Sequence, residues 1–427
     1  MEKPYNHVVV LGAGFGGLFF CLNFRSPGTR ITLVDRTNHH LFQPLLYQVA
    51  ACGLSAPDIA QPIRAILSDR EDITVLFNRV TDIDLAQKRV MLESGVLDYT
   101  HLVIAMGGQT SYFGHPEWEQ FAPGLKTLDD ALRIRSRILL AFERAENESD
   151  PAERDRLLTI VVVGGGPTGV ELAGAFAELT RTVLNRDFRR INPARARIIL
   201  VEGSPKVLSH LPPELAASAQ RQLEGLGVQV RNRIHVKAIR AGEVELDDGE
   251  VIRAGNILWA AGVSANPLTK RLGVETDRAG RVKVNPDLSL PGHPEVFAIG
   301  DLVSLLQPNG QPVPGVSPAA MQMGRHVAKI LTREIRGETS PRQPFKYFDK
   351  GTMATIGRSA AVAWIGKLKF SGLLAWLAWL FVHLIFLIGF RNRLVVLLNW
   401  AYSYFSFKRS ARLITYLPPD AGGPPAR

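Results

Sequence analysis

His7-Val-Val-Val-Leu-Gly-Ala-Gly-Phe-Gly-Gly-Leu18 decides the fold. Val8 to Leu11 is an unbroken apolar run, β-branched and too short for a helix, which suits a parallel strand buried on both faces. Gly12, Gly14 and Gly17 then set G-x-G-x-x-G at a strand-to-helix turn. The first glycine permits the tight turn, the second lets backbone approach a pyrophosphate, and the third lets helix and strand pack closely. Phosphates placed there meet the free amides of the new helix. A second apolar run, Arg30-Ile-Thr-Leu-Val-Asp35, ends in an acid eighteen residues after Gly17. Asp35 can accept the hydroxyls of an adenosine ribose, so this stretch is read as a dinucleotide site.

The motif returns. Leu158 to Val163 is a second buried strand, followed by Gly164, Gly166 and Gly169 in Gly-Gly-Gly-Pro-Thr-Gly, and Arg197-Ile-Ile-Leu-Val-Glu202 again ends in an acid. Glu202 lies thirty-three residues beyond Gly169, because Arg181 to Ala196 lengthens the helix and loop. A carboxylate at the ribose repels a 2′-phosphate and favours NADH over NADPH. Farther on, Val296-Phe-Ala-Ile-Gly-Asp301 is a strand ending in Gly300 and Asp301, placed to bring a carboxylate to the ribityl chain or pyrophosphate of a flavin. The helix expected after Gly315 points its N-terminal amides at the flavin pyrimidine, where they favour negative charge. The fold class is therefore α/β, with two Rossmann-like dinucleotide-binding domains and a C-terminal helical membrane-anchoring region. The segments expected are 1–125 and 286–340 for FAD, 126–285 for NADH, and 341–427 for the membrane.

Between these landmarks the patterns predict a short helix from Ile59 to Leu67 and a small antiparallel meander from Thr74–Phe77 and Arg89–Leu92. A long amphipathic helix is expected from Thr127, with a polar surface connection over Asn147 to Asp155. His39 and His40 are adjacent, and adjacent residues rarely share one ion, so no metal site is expected. Cys21 and Cys52 form no close pair, which argues against a zinc site or a disulfide framework.

The 427-residue chain carries a formal net charge of +10, which points to an anionic partner. No nucleic-acid motif is present, and the tail favours lipid. Phe370 to Phe390 carries no formal charge and is long enough to span a bilayer. Lys367 and Lys369 precede it, Arg391 and Arg393 follow, and Lys408, Arg409 and Arg412 come after the aromatic run with Trp400, Tyr402, Tyr404 and Phe405. Cations on both sides argue against a simple crossing. Two interfacial helices, aromatic faces in the acyl boundary and cations on anionic phospholipid, account for both charge sets. Leu417 to Arg427, rich in proline and glycine, is expected to be disordered. Met1 to Asn6 carries no signal-peptide pattern, so the folded body is expected in the cytoplasm.

The order of the two triads, Val170-Glu-Leu-Ala173 and Ala298-Ile-Gly-Asp301, resembles the two-dinucleotide-binding-domain flavoproteins. Within them His40-Leu-Phe-Gln-Pro-Leu-Leu-Tyr-Gln48, Lys350-Gly-Thr-Met-Ala-Thr-Ile-Gly-Arg358 and the hydrophobic tail resemble bacterial type II NADH dehydrogenase, a single-subunit, non-proton-pumping NADH:quinone oxidoreductase. The resemblance implies FAD, NADH, a membrane quinone, a monotopic anchor on the cytoplasmic face and a possible homodimer. It also implies that Gln322 is the second glutamine of the quinone-site motif, with Pro318 and Ser317 replacing the first glutamine and the leading alanine. Glu171 matches a helix glutamate considered for proton coupling; an acid favoured by the helix dipole is the alternative. The missing thiol pair sets the chain apart from disulfide reductases and sulfide:quinone oxidoreductases. A tethered nucleotide-binding flavoprotein with a sensing or scaffolding role, or a reductase with another acceptor, stays open at this level. Cutting the chain after Gly366 is expected to release a soluble flavoprotein.

Overall fold

The structure is a computed structural model describing residues 6–406 and 411–415. Lys408, Arg409 and the 417–427 tail lie outside the described residues, as does the Phe405 side chain. The chain divides into two compact units, one of residues 1–41, 60–109 and 263–350, the other of residues 42–59, 110–262 and 351–427. These units cut across the limits read from the sequence, since residues 42–59 and the tail join the second unit.

In the first unit the six-stranded sheet runs Ser289–Leu290, His293–Ala298, His101–Ile104, Asn6–Leu11, Thr29–Asp35, Ile73–Phe77. All pairings are parallel except that of the short first strand. Val8 to Leu11 are fully buried, as a central parallel strand requires. The helix Phe15–Asn23 packs on the helix Ser317–Ile335 so closely that a Cβ on Gly324 would lie 2.3 Å from the Gly16 carbonyl oxygen.

In the second unit the order Val228–Asn232, Arg197–Glu202, Thr159–Val163, Asn256–Trp259 repeats that arrangement with every pair parallel. In both sheets the first strand of the motif lies between its acid-ended partner and the strand that closes the crevice, which puts the ligand crevice at the carboxyl ends of the strands. The last part of this unit is not purely helical. Thr352–Gly357, Ala360–Ile365 and Leu368–Ser371 form an antiparallel sheet, and the helix Leu373–Phe386 lies against it through buried Ala361, Ala363 and Ala375. A second helix, Phe390–Ser406, follows a break at Gly389, whose φ is +86°. No helix among the described residues is long and apolar enough to cross a membrane.

Local expectations change in three places. Ile73–Phe77 is the parallel edge of the main sheet, and the meander consists of Val80–Asp84, Arg89–Leu92 and Gly95–Asp98. The helix expected over Ile59–Leu67 is interrupted: Ala60–Pro62 is a strand paired with His39–Leu41, because a proline at 62 cannot continue a helix from 59. The amphipathic helix spans Leu128–Asn147, started by a capping box between Thr127 and Asp130, and the supposed connection after it contains a second helix, Pro151–Leu157, capped by Asp150.

Candidate functional site: two acid-ended crevices and an aromatic cleft

The two glycine turns are the same device built twice. Gly12 and Gly164 have φ of +100° and +108°, and added Cβ atoms would meet backbone of Ala105 at 2.5 Å and of Ala260 at 2.8 Å. A Cβ on Gly17 would lie 1.9 Å from the Gly12 carbonyl oxygen, and one on Gly169 would lie 1.8 Å from that of Gly164. Gly14 and Gly166 behave differently. An added Cβ there meets no protein atom within 4 Å, so both leave open the space in front of the helices Phe15–Asn23 and Pro167–Glu178. Neither helix has a side-chain cap, so its first amides remain available to phosphate oxygens.

The two acids follow the same plan. Asp35 accepts the Ala13 N–H at 2.6 Å on one oxygen and the Thr37 N–H at 2.7 Å on the other. Glu202 accepts the Gly165 N–H at 2.5 Å and the Ser204 N–H at 2.6 Å. These bonds orient each carboxylate at its strand end and leave lone pairs for ribose hydroxyls. Open glycine cradles, uncapped helix starts and oriented acids together fit one dinucleotide in each unit.

Gly300 and Asp301 follow the strand His293–Ala298. Ile299 lies where a Cβ on Gly16 would touch it at 3.1 Å, so this return of the chain reaches the start of the first motif's helix. The helix Ser317–Ile335 begins beside it without a side-chain cap, and Pro318 sits in its first turn, where a missing N–H costs nothing. Gln322, on this helix, donates from Nε2 to the Phe348 carbonyl at 3.0 Å and accepts the Phe348 N–H at 2.9 Å. Both ends of its amide thus hold the segment leading towards residue 350. Nothing in the sequence pattern signals that clasp.

Glu171, in the second unit, lines a cleft of about 720 Å³, open solvent included. Four separate stretches build the cleft: Tyr47 and Gln48; Glu171, Ala175 and Glu178 of one helix; Thr355 to Arg358; and Trp376, Trp379, Trp400 and Tyr404 of the tail. The helix can sit this close to the strand Thr352–Gly357 because Gly174 has no side chain; a Cβ there would lie 1.7 Å from the Ile356 carbonyl oxygen. Glu171 is only partly shielded as a residue, yet its carboxyl faces the protein around the cleft. That burial pushes its pKa up to about 8, against the opposing pull of a hydrogen bond from the Thr355 backbone. A helix dipole would favour the carboxylate and pull the other way, so desolvation dominates.

The tail aromatics divide: Phe381 and Tyr402 are exposed, as an outward face requires, whereas others turn inward. Trp379 is 1% exposed, stacks on His383 at 4.2 Å and lies 5.6 Å from Trp400, whose Nε1 donates to Gln48 at 2.8 Å. Buried Trp379 Nε1 has no partner among the described residues. At the other edge, Glu178 accepts the Arg358 N–H, and Arg358 donates to the Tyr404 carbonyl at 2.7 Å while its guanidinium lies over the Tyr404 ring. Cys21 and Cys52 are both buried, and burial pushes the Cys21 thiol up to about 12, far from a reactive thiolate.

Residues 6–324 match the family model described as pyridine nucleotide-disulphide oxidoreductase, and residues 350–409 match the NDH2 C-terminal domain. A type II NADH:quinone oxidoreductase of Mycobacterium tuberculosis is 46% identical over 425 residues, 96% of this chain and 89% of its own length. The chain belongs to the type II NADH:quinone oxidoreductases. A second enzyme of that description from M. tuberculosis is 44% identical, covering 97% of this chain and 91% of its own length. The fold also matches a solved structure of NDH2 from Plasmodium falciparum in complex with NADH, at a TM-score of 0.88 and 20% identity over 96% of this chain and all of that one. In a family with this activity, the two crevices fit FAD in the first unit and NADH in the second.

Proposed function

We propose that this chain oxidises NADH and reduces a membrane quinone without pumping protons, with the quinone head entering the cleft beside Glu171. The observation that carries the reading is the cleft itself: a titratable acid and an unpartnered indole N–H among aromatic side chains of the tail. FAD, when bound, would supply the two-electron redox chemistry that links NADH to quinone. The chain's own part is to hold the dinucleotides, exclude water and manage protons. Asp35 and Asp301 fix the flavin's nucleotide end, and Gly166 with Glu202 fix NADH. Glu171 carries a proton at neutral pH and can give it to a quinone oxygen as charge builds there. Trp379 Nε1 offers a hydrogen bond. Gln322 serves from the first unit by holding Phe348 in place.

The outer face of the tail supports a monotopic membrane contact. Leu374, Leu377, Phe381 and Ile385 recur every third or fourth residue on one face of their helix, and Leu374 and Phe381 are 67% and 66% exposed. Leu394, Leu397 and Leu398 add exposed apolar area on the next helix. Such a face suits the headgroup boundary of a bilayer. A cut after Gly366 is a poor test, because it removes the strand Leu368–Ser371 and buried Trp379 as well. L374D/F381D leaves both in place. It should release the protein from membranes and reduce quinone turnover at least tenfold, while NADH oxidation by ferricyanide continues. Full retention on membranes would refute this use of the tail.

Specificity gives a second check. E202Q removes the charge but keeps an acceptor for one backbone amide. It should lower the KM for NADPH by about tenfold, worth about 1.4 kcal/mol, with a smaller change for NADH. Unaltered discrimination would move the ribose contact away from Glu202.

A further inference from the structure

The stretch that separates Gly169 from Glu202 is unusual in charge as well as length. Residues 181–197 hold Arg181, Arg186, Arg189, Arg190, Arg195 and Arg197 against one acid, Asp187. All of these arginines except Arg181 are exposed. Asp187 is taken by Arg412 of the tail. The carboxylate of Glu146 accepts the backbone N–H groups of Arg189, Arg190 and Ile191 at 2.9 to 3.0 Å, which fixes the course of the loop and leaves its guanidinium groups outside. Buried Ile191 and Pro193 pin it from below. The loop is a held row of cations, with the Glu146 carboxylate set against Arg190.

NADH cannot be what it serves. Arg197 opens the strand whose far end is Glu202, and the five steps between them span roughly 17 Å. The dinucleotide crevice lies at that far end. The tail, in contrast, is near: Arg412 touches the loop, Thr415 N–H donates to Ser136 Oγ at 3.3 Å, and Arg135 donates to Thr415 Oγ1 at 3.3 Å. Five peptide steps separate Ser406, the last residue of the second tail helix, from Ala411 and reach at most about 18 Å. The row of arginines is therefore tied to the segment that follows the second tail helix. Guanidinium groups recognise phosphate oxygens in bidentate fashion.

The geometry points to the 184–197 loop as a second membrane contact, a basic lip that binds anionic phospholipid headgroups beside the apolar face of the tail. This rests on the proposed membrane contact of the tail but assigns a separate surface and a separate lipid chemistry. Each arginine near an anionic surface strengthens binding by about fivefold.

The test is flotation of the full-length protein with vesicles of phosphatidylcholine alone or mixed with phosphatidylglycerol. R186Q/R189Q/R190Q should lose about a hundredfold in affinity for the mixed vesicles. It should bind phosphatidylcholine and oxidise NADH with ferricyanide as the unsubstituted protein does, and high salt should abolish the difference. L374D/F381D should instead weaken binding to both vesicle types. If the unsubstituted protein and the arginine variant bind both vesicle types equally, the lip is overturned and the tail contact stands. Binding to mixed vesicles alone, insensitive to L374D/F381D, would remove the tail contact and leave the lip. An arginine-dependent affinity for an oligonucleotide, without any preference between vesicles, would overturn the proposal in favour of a nucleic-acid surface.

Discussion

G17A should yield protein that carries less than about a tenth of the normal flavin and unfolds several degrees earlier. The added Cβ would sit 1.9 Å from the Gly12 carbonyl oxygen and 3.3 Å from the Ala105 Cβ. Neither neighbour can retreat, because Gly12 turns at φ +100° against the Ala105 backbone. The helix must therefore move off the strand, at a cost of about 1–3 kcal/mol by the usual scale of overpacking. The first amides of the helix move with it, and with them the phosphate cradle. G14A provides the contrast. Its Cβ meets no protein atom, so the apoprotein should melt as the parent does while flavin retention falls. Flavin absorbance per chain and thermal unfolding of apo and loaded protein separate the two cases. Full flavin content in G14A would mean that the pyrophosphate does not lie over that turn. G169A repeats the G17A experiment in the second unit and should cost NADH affinity.

The dinucleotide crevices were legible because they depend on local chemistry: a buried strand, glycines at fixed offsets, and an acid at the next strand's end. Spacing alone therefore placed Gly12 and Gly164 at strand-to-helix turns and Asp35 and Glu202 at strand ends. The cleft was not legible in that way. Gln48, Glu171, Thr355 and Trp400 come from four distant stretches, and no local pattern announces that they converge. Glu171 came from the family resemblance, and only the packing explains its proton, since desolvation outweighs both the helix dipole and the Thr355 amide. Tail hydrophobicity was plain, but which residues face outward was not. A stretch apolar on nearly every side gives no single face, and Trp379 turned inward while Leu374 and Phe381 turned outward. Gln322 shows the same gap, since a motif names a side chain but not the Phe348 backbone that occupies it. Edges were misread where one proline or one short strand settled the matter, at Pro62 and at Ile73–Phe77.

E171Q should slow quinone-dependent turnover by about a hundredfold, the scale of one lost general acid, and leave NADH oxidation by ferricyanide nearly intact. In the unsubstituted enzyme the quinone rate should fall as pH rises through about 8, where Glu171 gives up its proton. The variant should lack that limb. Stability falls over the same rise in pH. The folded chain keeps the Glu171 proton up to about pH 8, whereas the unfolded chain releases it near the ordinary glutamate value of 4.5. Between those values the folded state binds more protons, so this group makes the protein less stable as pH climbs, and the penalty is complete above 8. Glutamine carries no such penalty. E171Q should therefore match the parent's melting temperature near pH 4.5 and exceed it at pH 9. An acid retained for the helix dipole predicts the opposite, a variant less stable at neutral pH because a favourable charge at the helix start is gone. Slower turnover with higher stability would be the mark of a proton donor held against its own solvation. A variant that melts earlier and reduces quinone normally would return Glu171 to the dipole.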